Sequence, residues 1–258
     1  LRRFAGSRKN ARSAPGRSAR ETASPFPARH DRAGASSIRR LWASACVARQ
    51  GRDSVLAKID TIEALEAIYA TAPAPAALRK AADHGAPVYA RLIEAAPFLA
   101  LATVGPEGVD VSPRGDRVGE LARIPDPKTL LIPDRIGNNR VDSLRNVVRD
   151  PRVAVMFLIP GYGSAIRANG RAYVEAGAEA LAPFAVGGKS PRSLLVVKVE
   201  EVYFQCSRAM IRSGLWGATS APDGLPSAGD ILAEMTQGEV GGPDYDARWP
   251  ARAAATMW

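Results

Sequence analysis

Two short runs hold the residues of this chain best suited to chemistry. One is Ser112-Pro113-Arg114-Gly115-Asp116; the other, after one short apolar stretch, is Pro133-Asp134-Arg135-Ile136-Gly137-Asn138-Asn139-Arg140. A guanidinium group grips phosphate oxygens through paired N–H donors. Asparagine is a favoured helix N-cap, and a helix N-terminus offers unpaired amides and a partial positive charge to an anion. Ser112, Arg114, Arg135, Asn138, Asn139 and Arg140, converging at two strand ends and a helix start, therefore suit a doubly charged phosphate and hence a phosphorylated cofactor. Plainer readings stand beside this one: Asn139 simply caps the helix with Arg140 solvated, and Arg114 is a surface arginine paired with Asp116, worth little energetically. A third polar set, Arg167, Asn169 and Arg171, alternates with Ile166, Ala168 and Gly170, so in a strand the three share one face. That face suits a ligand or subunit contact, and equally a solvated surface.

Other chemistries lack their residues. The histidines are His30 and His84; no Ser-His-Asp order, HExxH or CxxC is present, and neither a GxGxxG nor a P-loop follows a strand. Cys46 and Cys206 make neither a disulfide framework nor a metal spacing. With no nucleophile, base pair or metal cluster, a bound cofactor has to carry the reaction.

The elements that must position these residues can be read from periodicity. Helices are expected over 59–70, with Asp60 or Thr61 as N-cap, over 76–83 and over 87–95, all before any strand. Strands are expected over 98–104 and 109–113, joined as a hairpin through Gly105-Pro106-Glu107-Gly108, then over 129–132 after a loop containing Pro125-Asp126-Pro127. A helix over 141–148 closes at Asp150-Pro151. The wholly apolar run 153–159 predicts a strand buried on both faces, followed by strands over 165–174 and 194–204. Helical stretches are expected around 178–186, 207–213 and 228–236. Six strands with helices gathered at the ends predict a mainly antiparallel sheet, and a small barrel fits that order.

Charge is unevenly spread. Residues 1–52 hold twelve Arg and Lys9 against Glu21 and Asp31, a surplus of eleven; with a total of +9, the rest of the chain is at −2. The basic segment is rich in Arg, Ser, Ala, Gly and Pro, a composition that buries too little apolar surface to offset ordering, so it is expected to be disordered. Three origins compete for it: an organelle-targeting peptide, a nucleic-acid-binding arm, or upstream sequence translated from a wrongly chosen start. The start at Leu1 and the lack of aromatic interleaving favour the last and argue against nucleic acid as a partner. No secretory or membrane-spanning apolar run is seen, so the expectation is a soluble protein of the cytoplasm. The expected organisation is a basic tail over 1–52, a folded domain over 53–240 and a C-terminal tail over 241–258.

Four motifs, taken in order, resemble the pyridoxamine 5'-phosphate oxidase-like, FMN-binding split-barrel family. They are FLALATVGPEGVDVSPRGD from Phe98, LLIPDRIGNNRVDSLRNVVRDPRVAVMFLIPG from Leu130, IRANGRA from Ile166 and YFQCSRAMIRSGLW from Tyr203. The likeness spans residues 53–238 and leaves out the basic tail. The resemblance implies a mainly β fold, a six-stranded antiparallel split β-barrel with flanking helices, forming a homodimer with FMN at the interface. It further implies that Arg114, Asn139 and Arg140 meet the FMN phosphate, flanked by Ser112, Arg135 and Asn138. Arg167 and Asn169 would lie where such proteins reach the flavin or the neighbouring subunit, and Trp216 would match a C-terminal aromatic near the flavin. The expected activity is hydride transfer between flavin and a small organic substrate; a flavin-sensing module without turnover, or a split barrel using deazaflavin F420 or haem, are the alternatives. True pyridoxamine-phosphate oxidases carry a C-terminal Arg-x-His motif, and the segment after Leu215, WGATSAPDGLPSAGD, has no histidine. The resemblance therefore extends to the cofactor site and not to vitamin B6 oxidation.

Overall fold

The computed structural model of the chain describes residues 57–217 and 220–256. The basic segment 1–52, with its expected disorder, lies outside the described residues. Seven strands form one antiparallel sheet: β1 (Phe98–Gly105), β2 (Gly108–Gly115), β3 (Arg123–Asp126), β4 (Thr129–Asp134), β5 (Arg152–Leu158), β6 (Ala165–Glu175) and β7 (Ser193–Gln205), in the order β2-β1-β5-β6-β7-β4-β3. The mainly antiparallel architecture with flanking helices is as the pattern predicts. The count is seven because β3 occupies the stretch read as a loop. Pro125 interrupts its donors, so it pairs only at its ends with β4, Arg123 against Leu131 and Asp126 against Thr129.

Alternation sets which face is buried. Along β1, Leu99, Leu101 and Thr103 point into the core, with Val153, Val155 and Phe157 of β5 and Ile166 and Ala168 of β6. Two helices bring apolar residues to the same core: α3 (Pro87–Glu94) through Tyr89 and Ile93, and α4 (Asp142–Arg149) through Val147 and the half-buried Leu144. Asn146 of α4 satisfies its buried amide by donating to Thr103 Oγ1 at 3.1 Å. Gly105 faces this helix; a Cβ there would stand 2.3 Å from Asn146 Oδ1, so only glycine lets α4 settle this close to β1.

The expectation that residues 153–159 are buried on both faces is not met. β5 alternates, and Met156 on its outer face is 38% exposed. The doubly buried strand is instead the first half of β7, where Leu194 and Val196 pack under Leu181 and Phe184 from the short helix α5 (Ala178–Leu181) and the 3-10 turn that follows it.

The helices before the sheet are shorter than periodicity suggests. α1 is Ile62–Ile68, capped by Thr61, whose Oγ1 accepts from the Ala64 amide at 3.1 Å; α2 is Pro75–Arg79. The chain leaves α2 early because Ala82 pairs with the edge of β7, exchanging two backbone hydrogen bonds with Val202 at 2.9 and 2.8 Å. After β7 come α6 (Arg208–Ser213), ended by Gly214 in the left-handed region at φ 61°, and α7 (Ala228–Met235), which opens on a reciprocal Ser227–Asp230 capping box. The stretch 241–258, expected as a tail, carries the helix α8 (Pro243–Thr256). It is fastened to α7 by Asp246, which accepts from Ser227 Oγ at 2.6 Å and from the Gly229 amide at 2.9 Å.

Candidate functional site

The sheet closes on itself through side chains. β2 is one edge of the strand order, and β4 lies next to the other. Arg114, near the end of β2, donates to Asp134 at the end of β4 and also to Ser143 Oγ of α4 at 2.8 Å. In the reverse sense Arg135, just past β4, donates to Asp116, just past β2, at 2.7 Å, and to the Phe184 carbonyl at 2.6 Å. These crossed arginine–aspartate pairs form a seam. They are well shielded: the side chains of Arg114, Asp134 and Arg135 are 21%, 17% and 13% exposed and that of Asp116 is 1% exposed. Shielding raises both the attraction within each pair and the penalty for losing one member.

Beyond the seam the loop 135–141 leads into α4. The expectation that Asn139 caps this helix is overturned. Val141 is the N-cap residue and no side chain caps the first turn. The two asparagines shape the loop instead: Asn138 Oδ1 accepts from the Arg140 amide at 3.0 Å, and Asn139 takes the left-handed conformation at φ 61°. Asparagine is among the few residues with a side chain that tolerate this geometry, for the same local hydrogen-bonding reason that makes it a good cap. Arg140 is 80% exposed and donates to Asp142 Oδ2 at 2.5 Å. The Asp142 carboxylate raises the guanidinium pKa above its ordinary value and offsets a cation that would otherwise oppose the helix dipole.

Ser112, Arg114, Arg135, Asn138, Asn139 and Arg140 are thus gathered around the seam and its adjoining loop. Ser112 pairs with Leu101 on the inner side of β2, and its Oγ is buried without a hydrogen-bond partner. Arg192 joins the group although the sequence reading passed over it: its Nη1 donates to Asn139 Oδ1 at 2.7 Å. The signal was the register of β4 on β7, which sets Ser193 opposite Asp134 and so brings Arg192 to the same end.

Arg167, Asn169 and Trp216 lie elsewhere. Arg167 stacks its guanidinium over the ring of its cross-strand partner Tyr203 at 5.1 Å, and Asn169 donates to its partner Glu201 at 3.0 Å. Both sit on the outer face of the sheet. The register places Ala100, Ala102, Val109, Val111, Pro113, Ala154 and Met156 on that same outer face, with Val109 75% and Val111 61% exposed. Trp216, after α6, donates its indole N–H to the Tyr162 carbonyl at 2.9 Å in the β5–β6 turn.

A groove of about 690 Å³, which the sequence reading did not anticipate, adjoins the seam through Phe184. Its floor is Leu131, Leu194, Val196 and Phe184, and Arg123 stacks on the Phe184 ring at 4.4 Å. Arg123 and Lys198 line it together with Glu94, Asp126 and Glu175, so its charge selects neither anion nor cation. None of the sequence-predicted site residues lines it. Among the described residues no cluster of three or more His, Cys, Asp or Glu side chains could hold a metal ion, and no helix is long and apolar enough to cross a membrane.

Comparison with known proteins locates this arrangement. Residues 86–206 match the family described as pyridoxamine 5'-phosphate oxidase. Among solved structures, the chain is similar to HupZ of Group A Streptococcus, at 16% identity and a TM-score of 0.38 over 46% of this chain and 91% of that one. It is similar to General Stress Protein 26 of Bacillus anthracis, at 13% identity and a TM-score of 0.35 over 44% and 88% of the two chains. It is also similar to a protein of Clostridium acetobutylicum related to general stress protein 26, of the pyridoxinephosphate oxidase family, at 12% identity and a TM-score of 0.35 over 45% and 84%. No curated protein sequence matches the chain.

Proposed function

We propose, from the match of residues 86–206 to the pyridoxamine 5'-phosphate oxidase family, that the protein is an FMN-binding oxidoreductase working as a homodimer. The observation that carries this reading is the meeting of Arg114, Arg140 and Arg192 with the uncapped first turn of α4. The first amides of that turn have no intrahelical acceptor, and no side chain covers them, so the donor set fits a phosphomonoester. Arg114, Asn139 and Arg140 hold the phosphate, Arg135 and Asn138 fix the seam and loop that present them, and the unpartnered Ser112 hydroxyl lies two residues before Arg114 on β2.

The outer sheet face supports the dimer. Apolar side chains exposed over several adjacent strands mark an interface on a water-soluble surface. Placed against a second copy, this face would bring Arg167 and Asn169 toward the cofactor of the neighbouring protomer, with Trp216 closing the ring edge. Bound FMN would supply hydride acceptance and donation at its ring. The protein's part is to hold the phosphate, orient the ring system and exclude water from it. A small organic molecule is the substrate. The missing Arg-x-His motif argues against vitamin B6 oxidation as its reaction.

Purified protein should carry, or take up on addition of FMN, a flavin visible absorption band. A colourless protein that gains no such band overturns the reading, and a haem or deazaflavin spectrum replaces it with another cofactor. Reduction of the bound flavin by NAD(P)H or an amine would support turnover; a flavin that none of them reduces identifies a sensing module.

A further inference from the structure

Four arginines surround the proposed phosphate position, and their partners are unequal. Arg114 is paired with Asp134, Arg135 with Asp116 and, at 3.9 Å, Glu120, and Arg140 with Asp142, so each of these guanidinium groups has a carboxylate beside it. These three pairs add no net charge, and a phosphate competing for any of them must displace or repel a carboxylate. Arg192 differs. It is exposed, it stands at the start of β7 beside the end of β4, and the group it binds is the neutral amide oxygen of Asn139. Among the described residues no carboxylate pairs with it.

The loop that holds Asn139 is itself fixed. Arg135 and Ile136 face Val186, Ser190 and Pro191 across a narrow cleft, so the two loops carrying Asn139 and Arg192 lie against one another. Asn139, held in the left-handed region, presents its side-chain oxygen to Arg192 and precedes Arg140 in the same loop.

We propose that Arg192 is the residue that gives the phosphate subsite its net positive charge, with Asn139 holding the guanidinium in place until an anion takes over the bond. Exchanging a neutral amide oxygen for a phosphate oxygen converts an ordinary hydrogen bond into a charge-assisted one. No aspartate has to be displaced. The inference rests on the FMN reading above and adds a residue that the motif resemblance does not include.

The test compares FMN with riboflavin, which has the same ring system and no phosphate, on the full chain as wild type, Arg192→Gln and Arg192→Lys. The expected result is an FMN affinity lowered by about tenfold or more in Arg192→Gln, the range for loss of one hydrogen bond to a charged group, with riboflavin affinity unchanged. Arg192→Lys keeps the charge and should recover most of the loss. An unchanged ratio of FMN to riboflavin affinity in Arg192→Gln overturns the inference while leaving the FMN reading intact. Equal weakening of both flavins also overturns it, because that is the result of a structural bond to Asn139 alone. Wild-type protein that binds neither flavin removes the FMN reading and this inference with it.

Discussion

At the scale of single residues, the seam is where burial and charge act together. Asp116 is 1% exposed and its partner Arg135 is 13% exposed, so Asp116→Asn takes the nearer carboxylate from a poorly hydrated cation and leaves it Glu120 at 3.9 Å. Breaking such a pair costs about 3 kcal/mol, and urea unfolding of the variant should show a loss of that order. The buried hydroxyl of Ser112 works in the opposite direction. It has no partner, so Ser112→Ala removes an unsatisfied polar group and should stabilise the flavin-free protein by roughly 1 kcal/mol. A midpoint that falls instead would show that the hydroxyl is satisfied in solution. Asp150 reports on pH. Its carboxylate accepts from the Arg152 side chain and from the Arg152 amide, and these bonds hold its pKa at about 2, below the ordinary 3.8. The folded pKa is depressed, so the contribution is complete above the ordinary value and is lost as pH falls toward about 2. A carboxyl NMR titration should place the Asp150 midpoint near that lower value, and Arg152→Ala should raise it part of the way toward the ordinary value, because the backbone bond from residue 152 remains.

At the scale of elements, close approach between strands is set by glycine. A Cβ on Gly170 of β6 would stand 2.1 Å from the Lys198 carbonyl of β7, at the register shift between Asn169 and Gly170. Backbone cannot give way as a side chain can, so Gly170→Ala should cost on the order of 3 kcal/mol in thermal or urea unfolding. A neutral result would mean that the two strands are farther apart in solution. The same elements show what periodicity can and cannot reveal. Strands β1, β2, β4, β5, β6 and β7 were legible because Leu99, Leu101, Val155 and their neighbours alternate or run continuously. β3 was not: four residues with a proline carry no period, and only its end-to-end pairing with β4 makes it a strand. α8 was missed because Pro250 lies inside it and what fastens it is the polar Asp246, which no apolar pattern announces. At the candidate site, Arg114, Asn139 and Arg140 were singled out by residue type and spacing. A capping place and a left-handed loop place for Asn139 could not be told apart in sequence, because asparagine before a helix is favoured in both. Arg192 was silent because its place depends on a strand register rather than on its neighbours in sequence.

For the whole molecule, the outer face of the sheet has the composition of a contact surface. Val109, Val111 and Met156 are exposed on it, next to Ala100, Ala102 and Ala154, where small side chains would let a second sheet approach. On the proposed dimer and FMN site, Val111→Glu combined with Met156→Glu should lower the mass to that of a monomer in analytical ultracentrifugation and weaken FMN retention at the same time, since charge is depleted from the centre of stable interfaces. An unchanged mass would place the contact elsewhere. One consequence of the seam remains. In a barrel whose last two strands share a backbone ladder, opening means tearing a row of amide bonds. Here the closing contacts are four side chains on two strand ends, so the wall has a built-in parting line, and the first large excursion of the native state should be β2 swinging away from β4. Added salt would loosen that line while leaving the ladder β1-β5-β6-β7 intact. The β2 amides bonded to β1 would then exchange with solvent long before those that join β5, β6 and β7.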